Sequence, residues 1–200
     1  MQFKIRNTEI KLSFSFFALI LLFLIIDFDR RLVLAIIFAF VHEAVHLVFI
    51  NKFSVAPKKV SLNLFGADIL RSNDGVINNN TEILIHLSAP LFNLTLSVVF
   101  YLLHKTLFSN VLIEYSAEVN FVLGIFNLIP FYNFDGGNAL NNLLLKFCNT
   151  KATDLVMTTI SVIVTILFSI ASVIVFVKFK HNTSLMLMSG YMIFSIIFKK

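Results

Sequence analysis

Charge is scarce in this sequence. Charged residues make up 14% of the 200 positions, while hydrophobic residues make up 58% and the mean hydropathy is +0.89. Soluble domains carry about 25% charge and about 45–50% apolar residues, so the composition excludes an ordinary soluble domain and indicates a polytopic membrane protein. The one cysteine, Cys148, excludes an internal disulfide and any thiolate metal site, leaving imidazole and carboxylate as metal ligands. No small-x-small cleavage site follows the first apolar stretch, and DFDRR comes directly after it, so an uncleaved anchor is expected rather than a signal peptide. The length leaves room for one domain and no sizeable soluble module. A net charge of +5 does not call for nucleic acid, because basic residues of membrane proteins mainly decide which loops stay in the cytoplasm.

What the chain does have is long apolar runs. Six candidate spans are expected in an all-α polytopic fold: Leu12 to Ile26, Leu32 to Ile50, Ile83 to Leu103, Val111 towards Phe134, Leu155 to Val177, and Leu185 to Phe198. The last is short for a hydrocarbon core of about 30 Å, so tilt or partial insertion is expected. With the N-terminus in the cytoplasm, 11 of the 16 basic residues fall on that side, among them Lys4, Lys11, Lys52, Lys58, Lys59, Lys146 and Lys151. Arg30, Arg31, Lys105, Lys178 and Lys180 fall opposite, and the bias predicts both termini inside. Between spans two and three, Val60, Leu62 and Leu64 alternate with Ser61 and Asn63, which is strand periodicity. Gly66 and the turn Ser72-Asn73-Asp74-Gly75 follow, so a short β-ribbon is expected there, with an irregular loop as the alternative.

The second span carries His42-Glu43-Ala44-Val45-His46. Residues four apart share a helix face, so both imidazoles can reach one metal ion, and Glu43 beside them can polarise a water at that metal. With five histidines and as many glutamates, HExxH arises by chance in about three of a thousand such sequences. Three ionisable groups within five residues of a span mark a functional site, whereas the bland alternative is a pair of satisfied core histidines. The predicted orientation puts His46 and His42 roughly 6 and 12 Å from the cytoplasmic end of the helix.

A third ligand is available in Asn127-Leu-Ile-Pro130-Phe-Tyr-Asn-Phe-Asp135-Gly136-Gly137. Pro130 and the glycine pair interrupt a helix, and irregular backbone at membrane depth is tolerated only where protein or a wet cavity covers it. Asp135 is the one acidic residue there and arrives at the depth expected for HEAVH. Two histidines and a carboxylate leave a fourth zinc position open for water. On the residues alone, Asp135 reads equally as a helix cap. In the third span, His86, Pro90 and Asn93 share one face. The Asn93 amide can donate to a substrate backbone or an oxyanion, or serve as polar glue between helices. His86 reads as structural, and His104 and His181 as loop residues with no specific role.

HEAVH, then Ser88 to Leu94 (SAPLFNL), then NLIPFYNFDGG together resemble the site-2 protease family of intramembrane zinc metalloproteases. Asn127, Pro130, Asp135 and Gly136 match that family's N-x-x-P-x(4)-D-G motif at each position, and the resemblance covers about Phe38 to Leu145 within a catalytic core of about 32–147. It implies that His42, His46 and Asp135 bind Zn2+, that Glu43 is the catalytic acid/base, and that Pro90, Asn127, Pro130 and Gly136 support the motifs. The lack of a PDZ insertion and the short loop are similar to the sporulation-type branch, which processes a membrane-tethered sigma factor. Two departures stand out. Ala89 replaces the glycine that often precedes the middle proline, and two further hydrophobic spans occur where sporulation-type members usually carry a CBS domain. The resemblance implies a single-span substrate, a sigma or anti-sigma factor or a peptide precursor, in a bacterial cell membrane. A catalytically inactive relative acting as a binding or assembly factor is the alternative. A transporter is disfavoured, because the last two spans contain no acidic, basic or histidine residue.

Overall fold

The structure, a computed structural model, describes residues 2–5, 8–12, 30–53, 57–63, 66–71, 78–107, 109–178 and 184–198; side-chain surroundings are described for 31–53, 78–107, 109–178 and 185–198. The chain divides into two compact units, Met1–Leu128 and Ile129–Lys200.

The first unit holds three helices, α1 (Arg30–Lys52), α2 (Asn79–Thr106) and α3 (Val111–Leu128). Side chains shape their ends. Asn78 Oδ1 accepts from the Asn80 N–H at 3.2 Å to cap α2, and Asn110 Oδ1 accepts from the Leu112 N–H at 2.8 Å at the start of α3. The seam between α2 and α3 is polar and close. Pro90, Asn93 and Ser97 of α2 are buried, as are Ala117, Asn120 and Gly124 of α3. Ser97 Oγ donates to the Ala117 carbonyl at 2.8 Å. Without water to satisfy them, small and polar residues let two membrane helices approach and bond across the gap. Gly124 shows the closeness directly: a Cβ there would lie 2.7 Å from Leu94 Cγ and 3.0 Å from the Pro90 carbonyl oxygen. Helix α1 joins the pair through Phe38 packing edge-on to Phe100, and through Arg31, which meets Glu118 at 3.5 Å and stacks over the Tyr115 ring at 4.1 Å.

This unit also contains a four-stranded sheet in the order β1 (Gln2–Ile5), β2 (Thr8–Leu12), β3 (Pro57–Asn63), β4 (Gly66–Arg71). The outer pairs, β1–β2 and β3–β4, are antiparallel, and β2–β3 is parallel. The alternating loop segment does more than form a ribbon of its own. It pairs with N-terminal residues whose sequence suggests only a charged flank, so β3 has a neighbour on each side.

The second unit comprises α4 (Asp135–Leu144), α5 (Thr150–Lys178) and α6 (Ser184–Ile197). Asn149 Oδ1 accepts from the Ala152 N–H at 2.8 Å at the start of α5. The buried face of α5 carries Thr153, Met157, Ser161, Thr165 and Ser172, spaced as one helical stripe. Ser172 Oγ reaches Ser189 Oγ of α6 at 3.4 Å. Leu155, Ile163, Ile166, Leu167, Ile170 and Val177 lie on the remainder of α5 and are exposed, as a lipid-facing surface requires.

Four helices among the described residues, α1, α2, α3 and α5, are long and apolar enough to cross a membrane. The protein is an integral membrane protein. The expected end of the fourth span is corrected. The fourth span stops at Leu128 rather than running towards Phe134, because Pro130 removes a backbone donor and disfavours helix in the residue before it. The sixth segment is, as expected from its sequence, short: a 14-residue helix, about 21 Å at 1.5 Å per residue. Apart from Leu12, which ends β2, the expected first span lies outside the described residues.

Gly124→Ala should lower the melting temperature in detergent micelles, at a cost of about 1–3 kcal/mol, because the Pro90 carbonyl is backbone and cannot yield freely. Gly190→Ala, whose Cβ would meet nothing within 4 Å, should leave it unchanged.

Candidate metal centre

His42 and His46 lie on adjacent turns of α1 and are both buried, at 5% and 6% exposure. Their ring centroids are 4.9 Å apart with planes nearly perpendicular. Each ring is held at Nδ1 by α2. His46 Nδ1 donates to the Ile85 carbonyl at 2.9 Å, and His42 Nδ1 meets Asn93 Oδ1 at 2.6 Å. A carbonyl only accepts, so His46 carries its proton on Nδ1 and its lone pair on Nε2. Glu43, between the two in sequence, is half-buried.

Asp135 opens α4. Its position is built by residues 129–134, where the chain turns: the Phe131 N–H donates to the Ile129 carbonyl at 2.8 Å and the Phe134 N–H to the Phe131 carbonyl at 2.9 Å. Phe131 is fully buried and its ring lies 5.2 Å from that of Phe134. Two side chains tie this turn to the two later helices of its unit. Tyr132 Oη donates to the Asp154 carbonyl at 3.1 Å and bonds Thr158 Oγ1 at 2.6 Å on α5. Asn133 Nδ2 donates to Ser195 Oγ at 2.6 Å and Tyr191 Oη at 3.2 Å on α6. The N-cap position belongs to Phe134, which makes no side-chain cap hydrogen bond, and Asp135 is the first residue of the helix rather than its cap residue.

A ring nitrogen of His42, a ring nitrogen of His46 and a carboxylate oxygen of Asp135 all lie within 4.8 Å of one another. Two imidazoles and a carboxylate suit a divalent ion with an open position. The hydrogen-bonded Nδ1 atoms fit it further, since a metal-ligating histidine donates its other ring N–H to an oxygen. The residues present therefore fit a zinc ion.

The other expected residues fall as follows. Asn93 is fully buried, with its carbonyl end on His42 and its Nδ2 donating to Asn120 Oδ1 at 2.8 Å. That bonding pattern corresponds to the polar-glue reading, with His42 as one of its partners. Asn127 Nδ2 donates back to the Leu123 carbonyl at 3.0 Å, one turn earlier on α3. His86, read as structural, is not among the residues whose ligand atoms converge. Its ring centroid is 6.4 Å from that of His46, and its Nε2 is 3.8 Å from a Glu82 carboxylate oxygen. His104 Nδ1 donates to the Asn110 carbonyl at 3.1 Å, and His181 lies outside the described residues. Sequence reasoning missed Asn120, Tyr132 and Asn133, and it read Gly137 as interrupting a helix, whereas Gly137 lies in the first turn of α4. A Cβ on Gly137 would overlap the Phe131 carbonyl, so the turn before Asp135 can close only over a glycine. The DGG doublet was the available signal for it.

These features define a helical membrane protein with a buried two-histidine, one-carboxylate centre. Its fold is shared with the site-2 protease from Methanocaldococcus jannaschii, at 22% sequence identity and a TM-score of 0.68, covering 98% of this chain and 93% of that one. No family model and no curated protein matches the chain.

Gly137→Ala should displace the start of α4 and lower zinc retained after purification from about one equivalent to well below it, read by elemental analysis. Unchanged zinc content would show that the Phe131 turn does not set Asp135.

Proposed function

We propose that this chain is an intramembrane zinc metalloprotease of the site-2 protease type. The observation that carries the reading is the approach of His42, His46 and Asp135 ligand atoms to within 4.8 Å, with Glu43 adjacent on the same helix. His42, His46 and Asp135 hold the ion, and Glu43 is the acid/base. When bound, zinc supplies Lewis acidity, which activates water and polarises the scissile carbonyl. A Glu43 carboxylate oxygen accepts the proton of the attacking water and later delivers it to the leaving amide nitrogen.

The substrate is a membrane-embedded or membrane-adjacent segment of another protein, most simply a single-span protein such as a sigma or anti-sigma factor or a peptide precursor. Both termini face the cytoplasm in this reading, supported by the distribution of basic residues. A helical substrate has its backbone groups occupied, so its cleaved stretch must unwind and can be held by strand addition. The alternating segment Val60 to Leu64 is the natural candidate for the receiving edge from sequence. In the sheet, β3 is paired on both sides, so the role passes to the outer edge of β4.

Co-expression with a single-span substrate tests the activity. Glu43→Gln should keep zinc and lose cleavage by at least about a hundredfold, the scale of general acid–base catalysis. Cleavage that survives Glu43→Gln overturns the proteolytic reading. Absence of wild-type cleavage across the substrates that its neighbouring genes encode favours the inactive relative.

A further inference from the structure

The imidazole of His42 is governed by a residue that touches neither it nor the metal position. Asn120 Nδ2 donates to the Ser116 carbonyl at 2.8 Å, Asn93 Nδ2 donates to Asn120 Oδ1 at 2.8 Å, and Asn93 Oδ1 lies 2.6 Å from His42 Nδ1. Asn93 and Asn120 are both at 0% exposure, Ser116 at 7% and His42 at 5%. The chain of bonds thus runs from α3 through α2 to α1 inside the bundle.

Its direction is set at the far end. The Ser116 carbonyl can only accept, so Asn120 must turn its NH2 group towards it and its Oδ1 towards Asn93. Oδ1 can only accept, so Asn93 must turn its NH2 towards Asn120 and its own Oδ1 towards His42. That oxygen in turn can only accept, so His42 must carry its proton on Nδ1. A neutral imidazole protonated at Nδ1 has its lone pair on Nε2, the form that binds a metal. Reversing any one amide would set two donors or two acceptors face to face, leaving buried groups unsatisfied.

We infer that Asn120 is a positioning residue that selects the metal-binding tautomer of His42, acting through Asn93. His46 obtains the same result from one backbone carbonyl, that of Ile85, which no substitution removes. His42 depends on two side chains and is therefore the ligand whose tautomer can be changed from a distance. The inference rests on the metal-centre reading for its consequence, but the tautomer itself does not.

Two substitutions separate polarity from packing. Asn120→Asp, as the neutral acid, keeps an oxygen that accepts from Asn93 and an O–H that replaces the amide donor to the Ser116 carbonyl, at nearly the same volume. Asn120→Leu keeps volume and removes the acceptor, which releases Asn93 to rotate its NH2 towards His42 and drive the proton to Nε2. Nitrogen-15 spectra of histidine-labelled, zinc-free protein in bilayers should show His42 protonated at Nδ1 in the wild type and in Asn120→Asp, and a substantial Nε2–H population in Asn120→Leu. Zinc affinity, measured by chelator competition, should fall about 10–100-fold in Asn120→Leu, the range for lost outer-sphere partners, and stay near wild type in Asn120→Asp. If the leucine variant does not fold, Asn120→Ala makes the same comparison. An unchanged tautomer in the leucine or alanine variant overturns the inference, as does an equal loss of affinity in the Asp and Leu variants. Wild-type protein that takes up no zinc overturns the metal centre and not the relay, which the nitrogen shifts report directly.

Discussion

The constraint on which the rest of this protein depends is the presence of imidazole and carboxylate groups inside an apolar helical bundle. Such groups are costly to bury unless each finds partners or a metal. Both histidines therefore take a second bond from α2, and α2 in turn takes bonds from α3. The polar seam of Asn93, Ser97, Asn120 and the Ala117 carbonyl satisfies buried groups and fixes the spacing of the helices. Through Asn93 it also orients the ring of His42. Helix packing and the orientation of His42 draw on the same hydrogen bonds.

The carboxylate is positioned by different means. Asp135 stands at the end of a turn that Pro130 starts, that the buried Phe131 ring anchors and that Gly137 permits. Tyr132 and Asn133 fasten that turn to α5 and α6. The two last helices carry no acidic, basic or histidine residue within their apolar runs, yet they hold the segment that presents Asp135. Hydrophobic helices without chemistry of their own can thus bear on a chemical site.

The parts legible in the sequence were those written in local spacing. HEAVH implies a shared helix face because histidines four apart must lie together, and the Pro130 to Gly137 stretch implies interrupted helix because both residue types break it. The stop of α3 at Leu128 was legible in principle from Pro130, yet the apolar run to Phe134 outweighed it. Pairings between distant segments were not legible. Nothing in the spacing of Thr8 to Leu12 announces a parallel partner at Lys59 to Leu62. Asn120 likewise sits in an unremarkable stretch of α3 and gains meaning only when Asn93 and Ser116 are placed beside it. Asn93 drew notice in the sequence for what it could offer a substrate, whereas its amide is occupied at both described ends by other side chains.

The most direct test of the metal centre is X-ray absorption at the zinc edge on the purified full chain. Two imidazole nitrogens at about 2.0–2.1 Å with oxygen completing the inner coordination sphere is the expected result. A sphere with a single imidazole, or with sulfur from Cys148, would contradict the assignment of His42, His46 and Asp135 as the ligands.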